Sequence, residues 1–423
     1  MWIDVWFKVI PMLYSRYAER TNKGEVVAKH GVEDGWEAAG CRTTVRLPPG
    51  IMTGKRIVES FTNLLTGHLD KPYKFMYERL RDRAGVLDDA ITKVGTRLLG
   101  EEDEREVLDL TSTHPDLGLA LGRVQCDGEG RLNSNSVVLH GGLETCGGAA
   151  VPVDLSQVPN YSLFPGQIVA MEATNPNGSR LVAHNIHPGK VCGPVEETSE
   201  LVKGTTVSIL AACGPFSTSD SSSLEPLDDV LKVVKEEKPS VTILIGPFLD
   251  IRNPLIAESN VTFEAQWVKV LEKIAQETAD LETEVVLVTS HRDVHSLPIY
   301  PQVCSFIEHL KNSIFFSQPP FPIMDPATAS ILKSRPDIRC VSDPSTIDVC
   351  GVSIGITSTD ILFHLGKEEI SFPPRSGDRM ARLASHLLTQ VKVGFLLLCV
   401  LTFSLLLPGI FLSTAPTFGG SEY

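Results

Sequence analysis

At 423 residues the chain is long enough for two or three domains, and its 42% hydrophobic content can bury a core. A net charge of −14 excludes a general nucleic-acid coat, because affinity for a polyanion comes largely from phosphate neutralisation by Lys and Arg. The nine cysteines are scattered with no Cys-x-x-Cys pair, which argues against zinc and fits reduced thiols better than a disulfide framework.

Residues 1–42 match no pattern. Trp2 and Trp6 could begin a short helix, the run from Thr21 to Gly40 is polar, and Asp4 with no small-residue cleavage site speaks against a secretory signal. From Lys71 the sequence becomes helical. Leu80, Ala84, Leu87, Ile91, Val94 and Leu98 share one stripe, with Arg81, Asp82, Arg83, Asp88, Asp89, Lys93 and Arg97 facing water. Lys71, Lys74, Arg79, Arg81 and Arg83 with Tyr73, Phe75 and Tyr77 offer a stacking-plus-charge surface for single strands. An amphipathic docking helix with a solvated face is the preferred reading.

After the acidic run Glu101–Glu106 the period changes to two. Leu117–Val124, Val137–His140, Ala149–Asp154, Gln167–Ala173 and Leu181–His184 read as short strands, with Asn175-Pro-Asn-Gly-Ser179 as a hairpin turn. That spacing fits an OB-type barrel. Its aromatics, Tyr161 and Phe164, sit in one loop and the strands carry none, which favours protein contact over nucleic-acid binding.

Beyond a linker at 191–204 the pattern alternates β and α. Strands Val207–Ala212, Val241–Ile245 and Glu284–Val288 enclose two helices. One carries Leu224, Leu227, Leu231 and Val234 and stops at Pro239; the other carries Phe263, Trp267, Leu271 and Ile274. Such alternation predicts parallel pairing. A β-rich stretch, Arg339–Leu365, and a helix, Asp378–Thr389, follow. Gly394–Leu412 has no charged residue and is just long enough to span a bilayer as a helix. It reads as a tail anchor or, preferably, as sequence foreign to the domain it follows.

The strand ends are the place to look for chemistry. A binuclear phosphoesterase needs Asp-x-His, Gly-Asp and Gly-Asn-His after successive strands, to hold two metal ions about 3.5–4 Å apart. Here the first strand runs into Cys213-Gly-Pro-Phe216, the second into Gly246-Pro-Phe-Leu-Asp250, and the third into Thr289-Ser-His-Arg-Asp-Val-His295. Proline supplies no ligand, and the Arg292 guanidinium repels metal ions. Asp220, Asp250, Arg292, Asp293, His295, Asp360 and His364 are the polar remnants, read as turn caps, with a residual single-metal site as the minor alternative. Ser217, Ser219 and Ser221–Ser223 read as helix-start caps before a phosphate cradle. No Gly-x-Ser-x-Gly, P-loop or His-Glu-x-x-His occurs, so no catalytic, metal-binding or cofactor-binding residue is expected.

Several strings in order carry a resemblance. They are Lys71-Pro-Tyr-Lys-Phe-Met76, Leu121-Gly-Arg-Val124, Pro152-Val-Asp-Leu-Ser156, Tyr161-Ser-Leu-Phe-Pro-Gly-Gln167, Gly246-Pro-Phe-Leu-Asp250, Arg292-Asp-Val-His295 and Thr357-Ser-Thr-Asp-Ile-Leu-Phe-His364. Through them the chain resembles the B subunits of replicative DNA polymerases, and among these the B subunit of DNA polymerase α–primase. The resemblance implies a mixed α+β chain, with an OB-type barrel packed on a truncated, inactive calcineurin-like phosphoesterase domain (a β-sandwich with flanking helices). The expected bounds are an unmatched segment at 1–42, an extended segment and helix at 43–100, and the OB domain at 101–190. The phosphoesterase-like domain follows at 205–390 and an atypical apolar tail at 391–423.

The implied work is that of a nuclear, non-catalytic accessory subunit in DNA replication. It would bind the C-terminal domain of the polymerase's catalytic chain, reach the primase subunits through that complex, and touch DNA weakly or indirectly. A membrane partner enters only if 394–412 is a genuine anchor. A divergent metal-dependent phosphoesterase and a tail-anchored protein are the alternatives.

Overall fold

Period-two patterning after residue 105 becomes a closed barrel. The computed structural model describes residues 79–99, 105–189 except 129, 208–217, 221–296, most of 326–390, and the short strands 7–8, 29–30 and 396–399. Readings made for 1–6, 9–28, 31–78, 100–104, 190–207, Ser219, Asp220, 297–325, 391–395 and 400–423 lie outside the described residues. Two compact units emerge: one holds the described parts of 1–73, 195–360 and 394–423, the other those of 74–194 and 361–393.

In the barrel unit the elements are α1 (Leu80–Leu99), β1 (His114–Cys126), β2 (Val137–His140), α2 (Leu143–Cys146), β3 (Ala150–Asp154), β4 (Tyr161–Leu163), β5 (Ile168–Asn175) and β6 (Leu181–Ile186). The barrel closes in the order β1-β2-β3-β6-β5, every pairing antiparallel except β3 with β6. Inward residues alternate along the strands, as a half-buried surface requires. Val124, Leu139, Val151, Val169, Met171 and Leu181 fill the interior. The β5–β6 hairpin forms at the expected turn, with Gly178 at φ +70°. Asn175 donates from its side chain to the Leu110 carbonyl at 2.7 Å and ties the base of that hairpin to the preceding segment.

Only half of the α1 stripe is buried. Ile91, Val94 and Leu98 pack on Leu119, Ile168 and Ala170, whereas Leu80 and Leu87 are 85% and 39% exposed. Tyr161–Leu163, expected as loop, is a strand; three residues are too few to show a period.

The second unit contains β7 (Ile209–Cys213), α3 (Glu225–Glu237), β8 (Val241–Ile245), α4 (Pro254–Ala257), α5 (Phe263–Glu277), β9 (Glu284–Val288), α6 (Pro326–Ser334), β10 (Ile338–Val341), β11 (Ser345–Val349) and β12 (Val352–Thr357). Strands β7-β8-β9-β10 form one sheet, all parallel. The middle strands Val241–Ile245 and Glu284–Val288 are buried throughout, as expected of strands covered on both faces. Helices α3 and α5 lay Leu227, Leu231, Val234, Trp267, Leu271 and Ile274 into the sheet core. The Thr262 hydroxyl caps α5 by accepting the Ala265 N–H. α3 ends with Lys238 in the left-handed region, directly before Pro239.

Strands β11 and β12 pair antiparallel in a separate small sheet. After it come α7 (Ile361–Glu368), β13 (Ile370–Phe372), α8 (Arg379–Gln390) and β14 (Leu396–Cys399). The start of the apolar tail is β14, which pairs in parallel with β12, Ile354 opposite Leu396. Among the described residues no helix is long and apolar enough to cross a membrane.

One expectation is corrected. Residues 361–365, read as part of a β-rich stretch, form the first turns of α7, because a five-residue apolar run does not distinguish helix from strand. Elements α7, β13 and α8 group with the barrel unit. There β13 pairs antiparallel with β4, Phe372 opposite Tyr161.

Candidate functional site

The strings at the ends of β8 and β9 turn their charges on each other. Asp250 and Arg292 form an ion pair, with side chains only 5% and 14% exposed. Asp293 is fully enclosed: one carboxylate oxygen accepts the N–H groups of Phe248 at 2.6 Å and Leu249 at 2.9 Å, and the other accepts that of Ser290 at 2.8 Å. Burial pushes its carboxyl up to about 7, while these three backbone donors pull the other way. Gly246 is required by this approach, since a Cβ there would lie 2.5 Å from an Asp293 oxygen. The Gly246-Pro247 pair therefore makes room for a carboxylate that closes a loop.

A second polar chain continues inward. The Ser358 hydroxyl and N–H both donate to the buried carboxylate of Asp343. With its hydrogen so used, Ser358 Oγ accepts from Ser290 Oγ at 2.9 Å. Burial raises the Asp343 carboxyl, and the Ser358 hydrogen bonds oppose that rise. Sequence alone does not single out Ser290, Asp343 and Ser358, because a serine in a turn reads as a local cap.

The remaining candidates make other contacts. His295 lies flat on Trp267, ring centroids 4.1 Å apart at 17°, and its ring nitrogens are buried with no hydrogen-bond partner among the described residues. Burial pushes its pKa down to about 3, so the ring is neutral packing. Asp360 lies close enough to Cys213 to add to the effect of burial, which pushes that thiol up to about 12. His364 is exposed on α7 and belongs to the barrel unit, because the chain leaves β12 at Thr357 and turns into a helix. Asp250, Arg292 and Asp293 thus come together, His295 packs on Trp267, and Asp360 lies near Cys213 at the end of β7. Among the described residues no three His, Cys, Asp or Glu side chains gather as a metal-binding group.

His295 gives a pH prediction. A histidine near 6.5 when unfolded and near 3 when folded stays neutral in the fold, so stability is lost as pH falls from about 6.5 towards 3. His295→Phe keeps the stack on Trp267 and removes that loss. Between pH 7.5 and pH 5 the variant should gain about 2 kcal/mol on the wild type in urea unfolding. Parallel pH profiles for the two proteins would show that His295 does not titrate this way.

In the barrel unit the string Tyr161–Gln167 makes a different cluster. The Ser162 hydroxyl donates to Glu369 at 2.6 Å and lies 2.7 Å from His386 Nε2. Arg382 holds both Glu369 oxygens, at 2.6 and 3.1 Å. The constellation has the parts of a hydrolytic triad in the wrong order. The Ser162 hydrogen is spent on Glu369, so His386 Nε2 must donate to Ser162 Oγ and cannot accept its proton. Glu369 also approaches the same nitrogen, at 3.7 Å, where a triad carboxylate would orient the opposite one.

Around this cluster Phe164 packs edge-on to His386, Tyr161 stacks on Phe372, and the Gln390 amide pairs with both the N–H and the C=O of Ile168. The string's aromatics therefore seat α8 and β13 on the barrel.

Comparison with known proteins places these motifs. The family model for the B subunit of DNA polymerase alpha/epsilon matches residues 209–393, and the model for the OB domain of the DNA polymerase alpha B subunit matches residues 84–189. The chain is 35% identical over 379 residues to the B subunit of DNA polymerase alpha from Bos taurus, covering 89% of this chain and 57% of that protein. The proteins of the same description from Rattus norvegicus and Mus musculus are each 34% identical over 379 residues, covering 89% of this chain and 58% of theirs. The chain thus spans less than two thirds of the length of these relatives. With the OB match lying on the closed barrel and the B-subunit match covering the parallel sheet through to α8, the chain belongs to the family of DNA polymerase alpha B subunits.

Proposed function

We propose that this chain is a non-catalytic accessory subunit of a DNA polymerase α–primase assembly. In this reading it binds the C-terminal domain of the polymerase's catalytic chain, reaches the primase subunits through that complex, and acts in the nucleus where new DNA strands begin. The parallel sheet with its helices and the β11–β12 sheet represent an inactivated phosphoesterase frame, whose domain runs over 205–390 alongside the OB domain at 101–190.

One observation carries the reading. The charged side chains at the strand ends satisfy one another and the backbone, Asp250 through Arg292 and Asp293 through three N–H groups, which leaves no metal-binding group among the described residues. The aromatics of Tyr161–Gln167 are taken up in packing, and the net charge of −14 disfavours phosphate backbones, so DNA contact is weak or indirect. Co-purification tests it. The chain should stay with the purified C-terminal domain of the polymerase's catalytic chain through a salt gradient that strips single-stranded DNA. Tight single-strand binding with no retention of that domain would reverse the reading.

A further inference from the structure

The N-terminal half of α1 lies outside every contact that holds its C-terminal half. Ile91, Val94 and Leu98 are buried on the barrel, while residues 79–87 are exposed throughout. Leu80, Ala84 and Leu87 continue the same apolar stripe into water. Two exposed helical turns are marginal in water, and an exposed apolar ridge marks a contact surface. By helical spacing Arg79 and Arg83 border the ridge on one side and Arg81 on the other. The acids lie elsewhere: Asp82 and Asp89 fall on the opposite face, Asp89 pairs with Lys93 at 3.3 Å, and Asp88 accepts the Leu143 N–H at 2.6 Å. None of the three arginines has an ion-pair partner among the described residues.

We propose that residues 79–87 dock as a helix into an apolar groove, rimmed by carboxylates, on a protein partner. Charge complementarity selects the occupant: arginines on both edges of an apolar ridge match a groove with acidic lips. A nucleic acid would engage the arginines but leave Leu80 and Leu87 in water. The inference rests on the accessory-subunit reading and adds to it which surface docks.

The test uses the full chain, with the purified C-terminal domain of the polymerase's catalytic chain as probe. Leu80→Glu with Leu87→Glu alters only exposed positions, so the melting temperature should not change while affinity falls at least about tenfold. Arg79→Glu, Arg81→Glu and Arg83→Glu together should slow association and flatten its salt dependence. Wild-type affinity in both variants would overturn the inference alone. Failure of the unmodified chain to bind would overturn the accessory-subunit reading and the inference with it. If the arginine variant loses only oligothymidylate binding, or the leucine variant loses only self-association in sedimentation, the groove partner is contradicted.

Discussion

Replacing Asp293 by alanine should destabilise the sheet-bearing unit by about 4 kcal/mol, lowering its melting temperature by roughly 10 °C. The carboxylate satisfies three buried N–H groups, of Phe248, Leu249 and Ser290, and no described side chain stands ready to replace it. Each buried donor left without an acceptor costs about 1–3 kcal/mol, with some returned by water entering the space. Asp293→Asn keeps the oxygen that serves Phe248 and Leu249 but turns an amide N–H towards the Ser290 donor, so its cost should be about half as large. Circular dichroism melts of the three proteins read the series. An alanine variant within about 1 kcal/mol of the wild type would show that these hydrogen bonds do not hold the loops.

The second large effect is expected in the barrel unit. Glu369→Ala removes a carboxylate whose side chain is 2% exposed and breaks its ion pair with Arg382, itself 20% exposed. Breaking such a pair costs about 3 kcal/mol once partial hydration of the arginine is allowed for. Burial opposes the Glu369 charge, but the hydrogen bonds from Arg382 and Ser162 outweigh it and hold the carboxyl below its usual range. The stability it contributes is therefore present above the unfolded value of about 4.3 and is lost as pH falls through the lower folded one. A double-mutant cycle with Arg382→Ala should show strong coupling, the double variant costing less than the sum of the two. Additive losses would mean that the pair is incidental to seating α8.

Much of the fold is legible because periodicity is a local property. Strands Val137–His140, Val241–Ile245 and Glu284–Val288 begin and end where their apolar runs and flanking turn residues place them. The barrel is readable from five short alternating segments. The candidate site is less legible, for a physical reason. Ser162 meets Glu369 and His386 across more than 200 residues of chain, and no spacing rule marks so distant a pair. Asp250, Arg292 and Asp293 can be found because each sits one turn past a buried strand, where parallel sheets gather side chains from separate loops. His364 escapes placement because a run of Ile, Leu, Phe, His and Leu reads equally as a strand ending at the site or as the helix it forms.

The side chains at the strand ends are self-paired: Arg292 occupies Asp250, backbone donors occupy Asp293, and Trp267 covers His295. The most direct measurement is metal uptake by the purified chain after dialysis against Mn²⁺ or Zn²⁺, with hydrolysis of a generic phosphodiester followed on the same sample. Self-paired strand ends should leave far less than one bound ion per chain and no hydrolysis above the buffer blank. One or two tightly held ions per chain, with turnover that a chelator abolishes and added metal restores, would contradict it.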